Sequence, residues 1–284
     1  MKQAQDKGAP IPPPGHDCSS CPSHAHLEKL GIRLDSWDHL VALAGNPNTG
    51  KSSVFNALTG LKQHVGNWPG KTVSRAEGGF RFNGVRYKIV DLPGTYSLLS
   101  ASEDEEVSRN FILFGKPDCI VVVADATALE RNLNLALQVM EITDRVVVCV
   151  NLMDEARRKG IEVDLRSLSR DLGVPCVGTV ARTGEGLPDL MRSVSEVIGG
   201  EIVTKPVRTH VPAEVEAALA ELVPLIEEVA PGLPNARWVA FRLLDGDLRI
   251  RQALQSGDLA ALPGIQQVAA TPAASSLVSI HGAQ

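Results

Sequence analysis

Residues Gly45–Ser52 read Gly-Asn-Pro-Asn-Thr-Gly-Lys-Ser. This is the spacing G-x-x-x-x-G-K-[ST], a loop whose backbone N–H groups cradle phosphates at the start of a helix. Gly45 and Gly50 let the main chain wrap the anion. Lys51 reaches the β- and γ-phosphates, and the Ser52 hydroxyl ligates Mg²⁺. Asn46, Asn48, Thr49 and Ser53 are expected to line the same nucleotide site. Asp91-Leu92-Pro93-Gly94 lies 40 residues beyond Lys51, directly after an apolar run. There Asp91 can hold Mg²⁺ through water, and the Gly94 N–H can meet the γ-phosphate. Asn151-Leu152-Met153-Asp154 follows another apolar run. The Asp154 carboxylate can accept hydrogen bonds from guanine N1–H and its 2-amino group. Adenine lacks that donor pair, so an aligned carboxylate selects GTP over ATP. Asn151 would brace the loop and touch the base; a helix N-cap is the plainer role for either residue. In Thr179-Val180-Ala181-Arg182, the Ala181 N–H suits the guanine O6.

These residues need a scaffold of strands that end at one edge. Leu40–Ala44, Val85–Val90, Cys119–Ala124, Val146–Val150 and Pro175–Gly178 are apolar runs of strand length. Asn83-Gly84 predicts a type I′ hairpin turn between Gly79–Phe82 and Val85–Val90. Gly60–Gly78 reads as irregular and polar. Helical periodicity covers Ser53–Leu58, Glu103–Phe114, Leu129–Thr143, Leu165–Leu172 and Leu187–Ile198. The expected fold is α/β, with a mixed, mostly parallel sheet covered on both faces. A small all-α domain follows. Val215, Leu219, Leu222, Val223, Ile226 and Val229 recur at helical spacing, Pro224 should kink or split that helix, and a second helix spans Arg237–Leu244. The expected divisions are a tail at 1–34, a nucleotide-binding domain at 35–200, a helical domain at 201–270 and a frayed end at 271–284.

A chain of 284 residues favours about two domains. The formal net charge of −5 argues against a broad nucleic-acid footprint. No run of 18 apolar residues is present, and the N-terminus lacks the apolar core of a signal peptide. Cys119, Cys149 and Cys176 fall in strand-like runs and are expected to be buried, inert thiols suited to a reducing compartment.

The four motifs in this order resemble a Ras-like GTPase domain. Asn67-Trp68-Pro69-Gly70-Lys71-Thr72-Val73, Asp91–Ser97 and Arg237–Asp247 resemble, more narrowly, the cytosolic domain of the ferrous iron transport protein B family, over about Asp38–Leu254. The resemblance implies GTP hydrolysis in service of Fe²⁺ uptake, at the cytoplasmic face of the bacterial inner membrane. It makes Thr72 the switch-I threonine that ligates Mg²⁺ and touches the γ-phosphate. Asn48 becomes the asparagine beside an activating K⁺, and residues 201–270 a domain that modulates nucleotide affinity. The implied partners are GTP or GDP and a membrane-embedded iron permease domain beyond this chain; homo-oligomers stay open. The chain stops near where that membrane domain would start, so it reads as a soluble piece of a transporter or a truncation. Two positions depart from the family's pattern. Val180 stands where Ser is usual, which weakens loop bracing and raises GDP release. Lys71 replaces an apolar residue. Thr95 follows Gly94 where Ras-like enzymes carry a water-orienting glutamine, so slow, K⁺-stimulated hydrolysis is expected. The alternatives are a switch module that recruits a partner and a ribosome- or tRNA-associated GTPase.

His16, Cys18, Cys21, His24 and His26 cluster in the tail. Cys18, Cys21 and His24 are ligand types for Fe²⁺ or Zn²⁺. A structural zinc site usually takes its second ligand pair from farther along the chain, so incidental residues of a disordered tail are the competing interpretation.

Overall fold

The structure is a computed structural model that describes residue 32 and residues 37–256, except 61–62, 70, 100–101, 209, 232 and 234. Seven strands form one sheet: β1 (His39–Gly45), β2 (Gln63–Asn67), β3 (Ser74–Phe82), β4 (Val85–Asp91), β5 (Cys119–Asp125), β6 (Val146–Asn151) and β7 (Cys176–Gly178). Their order is β2-β3-β4-β1-β5-β6-β7. The β1–β4, β1–β5, β5–β6 and β6–β7 pairs are parallel; β2–β3 and β3–β4 are antiparallel. Between them lie α1 (Lys51–Thr59), α2 (Glu103–Phe114), α3 (Leu129–Ile142), α4 (Met153–Arg158) and α5 (Leu165–Leu172), and α6 (Leu187–Gly199) follows β7.

The central strands are apolar on both faces because both are covered. Leu40, Ala42 and Ala44 of β1 join Ile120, Val122 and Val148 in one buried cluster with Phe111 of α2 and Leu135 of α3. Val41, Leu43, Val121 and Val147 point the other way, into a cluster with Phe55 of α1 and Leu190 and Val194 of α6. The period of two along each strand makes this division. Asn83 and Gly84 have φ of 49° and 83°, the positive values that the I′ turn requires.

Three helices follow: α7 (Ala213–Val229), α8 (Ala236–Leu244) and α9 (Leu248–Ser256). Their buried residues Leu219, Ile226, Trp238, Val239 and Ile250 belong to the same cluster as Phe111 and Leu98. The helical part is therefore packed onto the sheet's α2–α3 side. No helix among the described residues is long and apolar enough to cross a membrane.

Three expectations are corrected. Gly60–Gly78 is not irregular: β2 and the first half of β3 occupy much of it, so the antiparallel part is a three-stranded meander. α7 also runs unbroken through Pro224 rather than splitting. Pro224 and Ala220 are both exposed, so the carbonyl that loses its donor stays within reach of water. Cys119 and Cys149 are buried, whereas Cys176 is only half-buried. Burial pushes the Cys149 thiol up to about 12 and the Cys176 thiol up to about 11, so neither is a ready thiolate.

Candidate functional site: a phosphate loop and a base-reading edge

Parallel strands end together, and the residues that follow them meet at one edge. β1 lies between β4 and β5, where the chain's path across the sheet reverses, and such a reversal opens a crevice at the strands' carboxyl ends. Gly45 ends β1, Asp91 ends β4, Asn151 ends β6 and Gly178 ends β7.

The phosphate loop connects β1 to α1. Asn48 has a φ of 66° and is exposed; Ser52 and Ser53 are exposed on the first turn of α1. The Thr49 hydroxyl donates to the Asn46 carbonyl at 2.9 Å and tightens the loop. The Asn46 side chain is buried, yet its Oδ1 and Nδ2 have no hydrogen-bond partner among the described residues. A loop carrying such an orphaned amide fits a polar ligand. Gly50 has a φ of 78°, and a Cβ there would sit 2.4 Å from Asn151 Nδ2. Only glycine meets both demands.

Lys51 and Asp91 come together directly: the ammonium donates to Asp91 Oδ1, and at 2.7 Å to the Leu92 carbonyl. Burial pushes the Asp91 carboxyl up, and the Lys51 charge opposes it. A divalent cation beside Asp91 would favour the ionised form in the same sense, so Ser52 and Asp91 fit Mg²⁺. The Thr95 N–H donates to the Gly45 carbonyl at 3.2 Å, tying the Gly94 segment to the phosphate loop. Thr95 itself is buried.

Thr72 is placed elsewhere. Its exposed hydroxyl bonds Glu103 Oε2 at 3.3 Å, and no hydrogen bond joins it to the phosphate loop among the described residues. The preceding turn rests on α2: Trp68 is buried edge-on to Phe111, with ring centroids 5.4 Å apart, and Lys71 Nζ lies 3.4 Å from Glu106 Oε2. The unusual lysine thus anchors this segment. The same Glu106 oxygen accepts from Arg249 at 3.2 Å, and Arg109 and Arg242 meet Asp247 at 3.9 and 3.0 Å. These pairs tie α2 to α8 and α9. Sequence spacing carries no signal for them.

At the carboxyl ends of β6 and β7, Asn151 is 1% exposed and joins three segments. Its Nδ2 donates to the Thr49 carbonyl at 3.0 Å. Its Oδ1 accepts from the Thr179 hydroxyl and the Ala181 N–H, both at 3.1 Å. The Ala181 N–H is thereby already engaged, so a contact with a base carbonyl would share that proton. Leu152 has a φ of 63°, strained for a bulky residue, at the turn from β6 into α4. Asp154 lies on the first turn of α4 and accepts from Arg182 at 3.2 Å. Burial works against its charge, but the Glu155 N–H and the Arg182 guanidinium outweigh it and hold the carboxyl below the usual range. Leu152, and neither Asn151 nor Asp154, stands at the N-cap of α4, and no side chain caps that helix. The motif assigns no role to Thr179 or Arg182; their place within two residues of Ala181 is the available signal. Cys18, Cys21 and His24 lie outside the described residues. No group of three or more metal-ligating side chains occurs among those described.

The family model described as ferrous iron transport protein B matches residues 39–194, more than half of the chain. The chain belongs to the ferrous iron transport protein B family. A second family model, the FeoB cytosolic helical domain, matches residues 212–274. An Fe(2+) transport protein A/Fe(2+) transporter FeoB fusion protein of Porphyromonas gingivalis is 42% identical over 212 residues, covering 73% of this chain and 25% of the relative. The Fe(2+) transporter FeoB of Escherichia coli K12 is 38% identical over 216 residues, covering 74% and 27%. The chain thus spans about a quarter of the length of these curated relatives. Among solved structures, the cytosolic domain of the T. maritima FeoB iron transporter in a GDP form is 36% identical, with a TM-score of 0.71, and covers 81% of this chain and 89% of that one.

Proposed function

We propose that this chain binds GTP and hydrolyses it as the nucleotide-dependent part of a ferrous iron uptake system, at the cytoplasmic face of the membrane. The observation that carries the reading is Asn151: one buried amide fastens the phosphate loop to the segment holding Ala181, with Asp154 three residues on. A nucleotide lying across that edge would place phosphates at Lys51 and a base at Asp154. The solved relative in a GDP form supports guanine as the base. A membrane permease domain carrying Fe²⁺ as cargo is the implied partner, because the curated relatives extend well beyond the matched region.

Hydrolysis of this kind rests on positioning and charge. On nucleotide binding Lys51 would exchange Asp91 for phosphate oxygens, freeing the carboxylate. Ser52 and Asp91 would then hold Mg²⁺, with Thr72 swinging from Glu103 to join them, and Asn48 would hold K⁺. Bound there, Mg²⁺ and K⁺ supply positive charge against the charge developing on the transferred phosphoryl group. Thr95 is buried and offers no water-orienting amide, so turnover would be slow, and a monovalent cation held by Asn48 would add charge stabilisation. The helical part, tied to α2 through Asp247 and Glu106, would sense the rearrangement of Lys71 and Thr72. A cysteine–histidine tail that delivers or senses Fe²⁺ or Zn²⁺ is a separate proposal, resting on Cys18, Cys21 and His24 alone.

The test is phosphate release from GTP in KCl and in NaCl at equal ionic strength. The wild-type chain should be faster in KCl, and Asn48→Ala should lose the difference while still binding GTP. Equal rates in both salts would remove the K⁺ role. No release in either salt, with GTP bound, would favour a pure switch module.

A further inference from the structure

The segment after β7, where Val180 is expected to loosen the loop, is well braced. The Val180 N–H donates to the Glu185 carbonyl at 2.9 Å, and the Val180 carbonyl accepts from Thr183 and Gly184 N–H at 3.0 Å each. Gly186 has a φ of 77°, and a Cβ there would lie 2.0 Å from the Gly178 carbonyl, so the turn closes tightly on itself. Two charged pairs then reach from this turn to α4. Arg157 of α4 pairs with Glu185, and Arg182 Nη2 donates to Asp154 Oδ2 at 3.2 Å. Val180 is buried and has no hydrogen-bonding side-chain group. The side-chain donor to Asp154 therefore comes from Arg182, two residues later.

We propose that Arg182 is the positioning residue for the base-reading carboxylate: its guanidinium orients Asp154 and lengthens the residence time of the guanine nucleotide. This rests on the reading of Asp154 as the group that meets the base. An ionised carboxylate has about four lone-pair sites, so it can accept from Arg182 and from two base N–H groups together. With one oxygen held by Nη2, rotation about the Cβ–Cγ bond is restricted, and both oxygens stay presented. Asp154 keeps about a quarter of its side-chain exposure while Arg182 keeps 78%, so the contact lies on the rim of the site. A rim pair is screened and modest in size. Its effect falls on how long the base stays, since the loop that carries Arg182 also carries Ala181.

The experiment uses the full chain and fluorescent GDP and IDP in stopped flow, IDP lacking the 2-amino group that Asp154 would read. Arg182→Ala should raise the GDP dissociation rate by about two- to fivefold, as for an exposed ion pair, and leave association nearly unchanged. Discrimination between GDP and IDP should shrink. Arg182→Lys should restore part of both effects, and Arg182→Ala should add nothing on top of Asp154→Ala. An unchanged GDP dissociation rate in Arg182→Ala would overturn the proposal while leaving guanine binding by the wild type intact. Equal acceleration for GDP and IDP would also overturn it, because the residue would then act on some other part of the nucleotide. A wild-type chain with no preference for GDP over IDP or ADP would instead overturn the reading of Asp154 on which the proposal stands.

Discussion

Replacing Asn151 with Ala removes a donor to Thr49 and an acceptor shared by Thr179 and Ala181. Each bond is worth about 1 kcal/mol net, and the Thr49 carbonyl and Ala181 N–H would lose their buried partner. The expected loss is about 3 kcal/mol. For a domain of this size 1 kcal/mol moves the midpoint by about 2–4 °C, so thermal unfolding followed by circular dichroism should show a drop of about 6–12 °C. GDP affinity should fall as well, since the phosphate loop and the base edge are no longer held in register. Asn151→Asp sharpens the argument: it keeps the acceptor side but sets an oxygen against the Thr49 carbonyl, so it should be no better than Ala. Gly50→Ala should disturb the same amide, because its Cβ would come within 2.4 Å of Asn151 Nδ2. If Asn151→Ala melts within about 2 °C of wild type and binds GDP normally, the three-way link is not what joins the two halves of the site.

Lys51→Ala should abolish measurable nucleotide binding in equilibrium titration while circular dichroism shows a retained fold; nucleotide binding at wild-type strength would displace Lys51 from the phosphates. Thr72→Ala should spare GDP affinity and slow GTP hydrolysis, since the proposed contact of Thr72 is to Mg²⁺ and the γ-phosphate, which GDP lacks; a normal turnover rate would show that switch I has been misplaced. Asp247→Ala removes the carboxylate between two largely buried guanidiniums, Arg109 and Arg242, of which Arg242 keeps Asp245 at 2.6 Å, and should cost about 2 kcal/mol in urea unfolding; a change below about 0.5 kcal/mol would mean that the Asp247 pairs add little to the packing of the helical part. Arg86, through its side-chain hydrogen bond, lowers the Asp38 carboxyl to about 2. A depressed carboxylate stabilises the fold above its unfolded value near 4 and stops doing so as pH falls through about 2. Asp38→Asn should therefore be slightly less stable than wild type at pH 6 and equal to it near pH 2; a gap that persists at low pH would assign the effect to something other than charge.

The strands that carry the site were legible because they are buried on both faces, and a run such as Val146–Val150 has no other comfortable place. The strand–loop–helix around Lys51 follows from glycine spacing for the same local reason. β2 was not legible. Gln63-His64-Val65-Gly66-Asn67 lies at the sheet edge with Val65 71% exposed, so it shows no alternation of apolar and polar residues. The α7 helix tolerates Pro224 because that position faces water, which the sequence pattern does not reveal. Motif order pointed to Asn151, Asp154 and Ala181, but the pairing of Asn151 with the Thr49 carbonyl spans 102 positions and depends on the sheet order. The same holds for Arg109 with Asp247 and for Glu106 with Arg249. Long-range ion pairs leave no periodic trace, so the coupling between α2 and the helical part emerges only in three dimensions.

The central claim is that Asp154 reads a guanine while Lys51 holds the phosphates. It is tested most directly by competition of GTP, ATP and XTP for the same chain, wild type and Asp154→Asn. A site whose polar groups match the base should reject ATP by at least about a thousandfold. The Asn variant offers a donor where the guanine amino group needs an acceptor, and it should turn the preference toward XTP. Comparable affinity of the wild type for GTP and ATP, or an unchanged guanine preference in Asp154→Asn, would contradict the account.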